Sequence, residues 1–333
     1  MILIAFGTRP EYIKLKCFIN ELKENNLDYQ CVFIKQHDKS FVGIEGLDFK
    51  ELLIDSSNSN RLNQIVSDVC KKLEFPKNTK LVVVQGDTAT SFAVALAAFN
   101  NGIPVAHIEA GLRTWDLRNP YPEEGYRRMI DSISDFHFCP TLNDFNNLLT
   151  QPLSEKSYVT GNTVIDSMPE FKEEKTNEVY ITLHRRENHP ILNVWFEKLE
   201  ELATLDKETK FIFIKHPNPN VTKHLGIFKN VKVIEPMPHS EMLKLIAQKA
   251  KLLITDSGGL QEEASHYNKF CIVCRKVTER PSDSSVCIDG PEELIEVYMD
   301  YKDHSIISRG TFGDGTSSKQ IVEILKSKNY ENI

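Results

Sequence analysis

The chain has 333 residues, the length of about two domains, and 41% of them are hydrophobic. This composition is typical of a globular enzyme with a sizeable core in each domain. The net charge of −7 is diffuse and gives no electrostatic footprint for nucleic acid or an anionic membrane.

The N-terminal segment MILIAFGTRP is too short for a signal peptide or a membrane span. No later segment reaches the roughly 18 apolar residues that a span requires. The seven cysteines are scattered, which favours reduced thiols over a disulfide framework. Cys271 and Cys274 form a C-x-x-C pair inside an apolar run, where core packing is the expected role. We therefore expect a cytoplasmic protein.

Short apolar runs alternate with stretches of helical spacing along the chain. The runs lie at 2–6, 31–34, 81–84, 104–108, 136–139, 158–160, 179–183, 211–214, 231–234, 252–255 and 270–274. Alternation of this kind predicts βαβ units and parallel sheets, and continuous apolar strands predict sheets that are covered on both faces.

The alternation breaks near residues 150–170, where turn residues and a charged run suggest a linker. We predict an α/β protein with two Rossmann-like, doubly wound domains, 1–160 and 161–310, and a helix in the tail 311–333. Ligands bind such sheets at the carboxyl ends of the strands, so the active site is expected in a cleft between the domains.

The first strand leads into a turn that carries Arg9, with Lys14 in the helix that follows. A glycine turn at a helix N-terminus can offer N–H groups to an anion, and Arg9 has a fork suited to phosphate. The turn does not match the G-x-G-x-x-G dinucleotide pattern. An ordinary turn with a solvated arginine explains the same residues equally well.

Three acidic residues follow strand ends or loops in the first half. Asp87 follows LVVVQG and could simply cap the next helix. Glu109 ends a strand in HIEAGLRT, which also contains Arg113, and packing explains a carboxylate there poorly. Glu123 follows two prolines, where a charged loop is usually solvated. Together the three could supply an acid and a base for proton transfer without a metal.

Basic residues follow strands in the second half. His184 and Arg185 come after VYITL, and His216 comes after FIFI. A basic cluster at a strand's end suits a diphosphate, although a solvated loop is the alternative.

The segment TDSGGLQEEA follows a strand and opens a helix. Ser257, Gly258 and Gly259 would let a phosphate approach the helix N-terminus closely. Glu263, about one turn inside, could reach ribose hydroxyls. Arg280 follows the last apolar strand. The chain contains no zinc, calcium, Walker or G-x-S-x-G motif, so we expect neither a metal nor a cofactor.

The ordered set of segments resembles the non-hydrolysing UDP-N-acetylglucosamine 2-epimerases. The matching segments are FGTRPE (6–11), QGDT (85–88), HIEAGLRT (107–114), PYPEE (120–124), GNTVID (161–166), HRREN (184–188), HPNPNV (216–221), TDSGGLQEEA (255–264), TERP (278–281) and GDG (313–315). The resemblance implies a fold like that of the GT-B glycosyltransferases, a C-terminal helix that packs back on the first domain, and a homodimer.

It also implies a two-step reaction on UDP-GlcNAc. Elimination of UDP gives 2-acetamidoglucal, and re-addition with protonation on the other face gives UDP-ManNAc. By motif position, Asp87, Glu109 and Glu123 form the acid/base set, and His184 is a catalytic or phosphate contact. The implied substrate contacts are Arg9, Lys14, Arg113, Arg185, His216, Ser257, Gly258, Gly259, Glu263 and Arg280. Which carboxylate is the base stays open.

Two segments depart from the family pattern. Lys39 and Asp68 stand where bacterial members carry Gln and Arg side chains that bind an allosteric UDP-GlcNAc. We therefore expect allosteric activation to be weak or absent. The segment PMPHSEML (236–243) also lacks an aromatic residue for the uracil ring.

Four alternatives stay open. The enzyme could epimerise a modified UDP-sugar such as a UDP-2,3-diacetamido-uronic acid, or it could be a hydrolysing epimerase. It could also be a GT-B glycosyltransferase, although three carboxylates favour reversible proton transfer. A nucleotide-sugar sensor without activity is disfavoured because every expected catalytic side chain is present.

Overall fold

The computed structural model describes residues 1–35, 47–55, 60–149, 154–174, 176–304, 310–328 and 330. The chain forms two compact units, one made of Met1–Met168 with Gly313–Ile333 and the other of Pro169–Phe312. The prediction of two parallel-sheet α/β domains is confirmed. In the described ranges, no helix is long and apolar enough to cross a membrane.

Within its described residues, the first unit has a seven-stranded sheet in the order β3-β2-β1-β4-β5-β6-β7, and its strands pair in parallel. The strands are β1 (Ile2–Phe6), β2 (Tyr29–Lys35), β3 (Phe49–Leu53), β4 (Leu81–Gln85), β5 (Val105–Ile108), β6 (Phe136–Cys139) and β7 (Ser157–Val159). The helices are α1 (Arg9–Glu24), α2 (Arg61–Lys72), α3 (Ala89–Asn100), α4 (Glu123–Ile133), α5 (Leu142–Leu149) and, after the second unit, α11 (Ser317–Ser327).

The central strands of this sheet are apolar on both sides because helices cover both faces. Ile4 and Phe6 of β1 pack with α1 in one core cluster, whereas Leu3 and Ala5 pack with α2 and α3 in another. This alternation follows from the two-residue period of a strand.

The tail helix α11 belongs to the first unit. Its apolar residues Ile321, Val322 and Leu325 lie in the same core cluster as β1 and α1. Asp166 accepts hydrogen bonds from the N–H groups of Ser317 (3.0 Å) and Ser318 (2.6 Å) at the N-terminus of the helix. A carboxylate stabilises this end of a helix. Because the segment around Asp166 packs with the first unit, that unit extends to Met168 rather than to residue 160.

The second unit repeats the strand arrangement of the first. Its described residues form a six-stranded parallel sheet in the order β10-β9-β8-β11-β12-β13. The strands are β8 (Glu178–Thr182), β9 (Lys210–Ile214), β10 (Lys232–Ile234), β11 (Ala250–Thr255), β12 (Phe270–Val273) and β13 (Ser285–Cys287). The helices are α6 (Leu192–Leu205), α7 (Pro219–Thr222), α8 (His239–Lys249), α9 (Gly258–His266) and α10 (Leu294–Tyr301).

The core of the second unit is built from aromatic residues of α6 and the sheet. Trp195 and Phe196 are fully buried and pack in one cluster with Phe213. Cys271 and Cys274 are also buried in the cores of this unit, and burial raises the pKa of both thiols. Both cysteines therefore serve as apolar packing residues.

Gly111 offers a test of backbone constraint at the end of β5. Its φ of +83° is in the left-handed region, and a Cβ there would lie 2.2 Å from the carbonyl oxygen of Asp144. We expect Gly111→Ala to lower the free energy of unfolding by about 3 kcal/mol or more, through backbone strain and the clash.

Gly102 is the matched control because it has a φ of +67° and no atom near the added Cβ. Gly102→Ala should cost only about 1 kcal/mol. Urea denaturation followed by circular dichroism measures both changes, and equal costs would contradict the steric argument.

Candidate active site

The strand order of each sheet reverses between two strands, β1 and β4 in the first unit and β8 and β11 in the second. Ligands bind doubly wound sheets at the carboxyl ends of such strands. Arg9, Asp87, His184 and Ser257 all follow one of these four strands. These four sequence-predicted residues therefore lie at the reversal points of the two sheets.

Glu11 joins the two loops at the reversal point of the first unit. Its buried carboxylate accepts hydrogen bonds from the N–H of Gly7 (3.1 Å) and the hydroxyls of Thr88 (2.7 Å) and Ser91 (2.9 Å). Burial raises the pKa of Glu11, although hydrogen bonds, including one with Thr8, counteract the rise. Since Thr88 follows Asp87, Glu11 fixes the Asp87 loop against the start of α1.

Glu109 lies at the end of β5 in a cage of polar groups. The Lys14 ammonium is 2.7 Å from both carboxylate oxygens, the Asn162 amide donates to Oε1 at 3.2 Å, and the Gln85 amide donates to Oε2. The residue is buried and has a φ of +73°, which is costly for a side chain other than glycine. Strain of this kind at a polar site is characteristic of a functional position.

Asp87 is hydrogen-bonded to an arginine of helix α4. The Arg127 guanidinium donates to Asp87 Oδ2 from Nε (3.0 Å) and also from Nη2, and its Nη1 donates to Glu124 at 3.2 Å. Glu124 is fully buried and accepts the N–H groups of Thr114 (3.0 Å) and Trp115 (3.1 Å). A quarter of the Asp87 side chain stays exposed, so it can meet a ligand.

The other predicted residues of this unit differ in accessibility. Arg9 is exposed in the first turn of α1, and Glu123 is half-buried at the first position of α4. Arg113 has a fully buried side chain that pairs with Asp131 at 2.7 Å. Its charge is paired within the unit, and its role as a substrate contact stays a prediction.

Asp256 joins the two loops at the reversal point of the second unit. Its fully buried carboxylate accepts the N–H groups of His184 (2.9 Å) and Arg185 (2.8 Å) and the Asn188 amide (3.0 Å). These bonds fix the HRREN loop after β8 beside the start of α9. Asp256 therefore joins the two loops of its unit as Glu11 does in the first unit, although Asp256 follows β11 and Glu11 follows β1.

A cavity of about 210 Å³ lies beside these loops within the second unit. His184 and His216 line it with rings stacked at 4.9 Å, and Ser257 lies on the same wall. Its apolar lining is Leu183, Ile214, Pro217, Pro236, Met237, Met242 and Leu260. Burial lowers the pKa of His184, and His216 and Arg185 lower it further against the opposing effect of Asp256.

The N-terminus of α9 leaves room for a ligand to approach its backbone closely. Ser257 is its N-cap residue and makes no side-chain capping bond, and a Cβ at Gly259 would meet open space. A Cβ at Gly258 would lie 3.0 Å from Nη1 of Arg280. Arg280 is held there by Glu262 (2.8 Å) and Glu279. The arrangement places a cation beside a helix N-terminus, and both attract anions.

Glu263 lies deeper in α9. One carboxylate oxygen is 2.7 Å from the His239 ring, and the other is buried with no hydrogen-bond partner among the described atoms. A buried acceptor without a donor is costly, and a hydroxyl group of a ligand would satisfy it.

Asp68 has a structural role in the region compared with the allosteric site. It accepts the N–H of Asp55 (2.7 Å), the Gln64 amide (2.8 Å) and the Lys72 ammonium (3.0 Å). Burial alone would raise the pKa of Asp68, but these partners outweigh it and lower the pKa. Lys39 lies outside the described residues. In the part of the chain that the structure describes, no group of His, Cys, Asp or Glu is arranged to hold a metal ion.

Comparisons with known proteins agree with this geometry. Residues 20–326 match the family model described as UDP-N-acetylglucosamine 2-epimerase. A UDP-N-acetylglucosamine 2-epimerase from Neisseria meningitidis is 36% identical to this chain, and the alignment covers 97% of this chain and 98% of the relative.

The chain belongs to the UDP-N-acetylglucosamine 2-epimerase family.

Two solved structures of the family share the fold. The UDP-GlcNAc 2-epimerase from Neisseria meningitidis bound to UDP-GlcNAc has a TM-score of 0.82 at 33% identity, covering 98% of this chain and 99% of that chain. The enzyme from Methanocaldococcus jannaschii in complex with UDP-GlcNAc and UDP has a TM-score of 0.79 at 30% identity, with the same coverage. The predicted family, its GT-B-like fold and the prediction of an isomerase are thereby confirmed.

Several residues that hold the predicted groups in this epimerase-family protein are absent from the sequence-based site. Asn162 lies in the matched GNTVID segment, and Arg127 follows Glu123 by one helical turn. Asp256 directly precedes Ser257. Each stands beside a predicted residue, but no local pattern indicates which side chain it contacts.

The contact between Lys14 and Glu109 can be tested by stability. Lys14→Met leaves a buried carboxylate without its cation, so we expect a loss of about 2 kcal/mol in the free energy of unfolding. In a Glu109→Gln background the same substitution should cost clearly less, because the charge to be neutralised is gone.

Lys35→Met is the control, because Lys35 pairs with the more exposed Glu51 at 3.3 Å. Such a pair should contribute less than about 1 kcal/mol. Urea denaturation measures all variants. If Lys14→Met lowers the free energy of unfolding equally in the wild-type and in the Glu109→Gln background, the two side chains are not energetically coupled.

Proposed function

We propose that the protein interconverts UDP-GlcNAc and UDP-ManNAc by epimerisation at C2, without releasing free sugar. The observation that carries the proposal is Glu109, a strained and buried carboxylate held against the Lys14 ammonium at the carboxyl end of β5. Family membership supports it, as do relatives whose structures contain UDP-GlcNAc.

The proposed reaction has two steps. In the first, a base removes the proton at C2 while the C1–O bond to UDP breaks, so that a C1=C2 double bond forms in 2-acetamidoglucal. In the second, UDP adds back to C1 and a proton is delivered to the opposite face of C2. The C2 proton is not activated by an adjacent carbonyl, so stabilisation of the departing UDP anion must lower the barrier.

The second unit is proposed to bind UDP. The N-terminus of α9, with Gly258 and Gly259, and the adjacent Arg280 suit the diphosphate. The His184 and Arg185 loop adds donors, and the apolar part of the 210 Å³ cavity suits the uracil ring through Met and Pro side chains. The buried oxygen of Glu263 suits a ribose hydroxyl.

The first unit is proposed to transfer protons through Asp87, Glu109 and Glu123. Asp87 and Glu109 are each in contact with a cation, and Asp87 is partly exposed. Arg9 is exposed and is proposed to contact the diphosphate. Lys14 is proposed to act through Glu109, since its ammonium contacts that carboxylate.

The reaction predicts a specific isotope pattern. The protein, incubated with UDP-GlcNAc in D2O without added metal or NAD, should give UDP-ManNAc with deuterium at C2, as followed by proton NMR. Glu109→Gln should lower kcat by roughly 100-fold or more, because proton transfer by a positioned carboxylate contributes on that scale.

Other products would overturn this proposal. Free ManNAc with UDP would indicate a hydrolysing epimerase. An unchanged spectrum would favour a modified UDP-sugar, such as a UDP-diacetamido-uronic acid, as the substrate.

We further propose that catalysis needs no allosteric effector. Binding of a second nucleotide sugar would need an arginine at the position of Asp68. Asp68 is instead an anion, and it is already paired with Lys72 within its own unit. Initial rates with pure UDP-ManNAc should follow a hyperbola. A strict requirement for added UDP-GlcNAc would contradict this expectation.

We also propose a homodimer. Large apolar side chains are exposed on the first unit at Trp115 (55%), Leu117 (53%) and Tyr121 (64%), and a second copy could cover them. Sedimentation of a single monomeric species at micromolar concentration would argue against it.

A further inference from the structure

The unusual feature of the first unit is His107, which is fully buried on β5, two residues before Glu109. Its Nδ1 lies 2.6 Å from Asp131 Oδ1, and its Nε2 lies 2.8 Å from the carbonyl oxygen of Gly86. A carbonyl oxygen and a carboxylate both accept hydrogen bonds, so the His107 ring joins two acceptors, one in the loop after β4 and one on α4.

Asp131, on α4, makes several further contacts besides the one with His107. It pairs with Arg113 at 2.7 Å and accepts the N–H of Gly111 at 3.3 Å. Although burial alone would raise the pKa of Asp131, His107 and Arg113 hold it well below its usual range. The nearby His137 donates from Nε2 to the Asp131 backbone carbonyl at 2.8 Å, and burial lowers the pKa of His137.

These contacts converge on the proposed catalytic carboxylates. Gly86 directly precedes Asp87, and a Cβ at Gly86 would lie 3.4 Å from Oε2 of Glu109. The His107 bond to Gly86 therefore fixes the peptide that carries Asp87 beside the Glu109 carboxylate. Asp131 ties the same ring to α4, the helix that begins with Glu123.

We propose that His107 and Asp131 are positioning residues that hold Asp87, Glu109 and Glu123 in one catalytic arrangement. The inference rests on the proposed epimerisation. Buried ion pairs seldom stabilise a fold more than apolar side chains of the same size would, and some are retained because they specify one geometry. Acid–base chemistry needs such precision, since a misplacement of about 1 Å can cost roughly 100-fold in rate.

His107→Asn separates positioning from folding. The Asn amide can replace Nδ1 as a donor to Asp131, but it cannot also reach the carbonyl of Gly86. We expect kcat for UDP-ManNAc formation to fall about 100-fold while KM and UDP affinity change less than about threefold. Deuterium incorporation at C2 should slow in parallel.

The control is His137→Asn. His137 is equally buried in the same unit and also contacts Asp131, but none of its described hydrogen bonds reaches Gly86. It should lose stability to urea without a comparable loss of kcat. An equal fall of kcat in both variants would mean that burial alone matters, and the proposal would be wrong.

Asp131→Asn decides the matter if His107→Asn does not fold. It keeps an acceptor for His107 and removes the charge, so kcat should fall with KM nearly unchanged. If the wild-type enzyme is active and a folded His107 or Asp131 variant keeps a kcat within threefold of the wild-type value, this inference is wrong. The proposed function would then still stand. An inactive wild-type protein would contradict the proposed function and this inference with it.

Discussion

A buried carboxylate requires hydrogen-bond donors or cations, and this requirement organises the candidate site residues within each unit. In the first unit Glu11 takes its donors from the loops after β1 and β4, and in the second unit Asp256 takes N–H groups from the loop after β8. The donors to Glu11 follow two strands, and Asp256 follows β11 while its donors follow β8, so satisfying one acid fixes two loops in each unit. The loops that carry the proposed functional residues are therefore held by polar contacts beneath them.

The same fold position has opposite electrostatic character in the two units. At the reversal point of the first sheet, Asp87 is exposed in part and is backed by the buried Arg127. At that of the second sheet, the start of α9 stands beside Arg280. One arrangement suits proton transfer and the other suits a diphosphate. A single architecture thus presents two different chemical environments through the residues after its strands.

The buried charges also show how two of the predicted cations are paired within the first unit. The family resemblance implies that Arg113 and Lys14 are both substrate contacts. Within the first unit, Arg113 pairs with Asp131 and Lys14 pairs with Glu109. In each case the cation offsets the free energy that is needed to remove a carboxylate from water. This desolvation free energy is larger than the free energy that an exposed ionic contact contributes.

The sequence by itself determined the alternation of strands and helices, the two parallel sheets and the family, because periodicity and ordered motifs are local signals. It did not predict β3 or β13, which are short and partly exposed strands whose pairing depends on their neighbours. Nor did it predict that Asn162 would contact Glu109, 53 residues away, or that His107 would join Gly86 to Asp131. Only the tertiary structure decided these contacts, since the donor for each buried acid comes from whichever element the fold brings beside it.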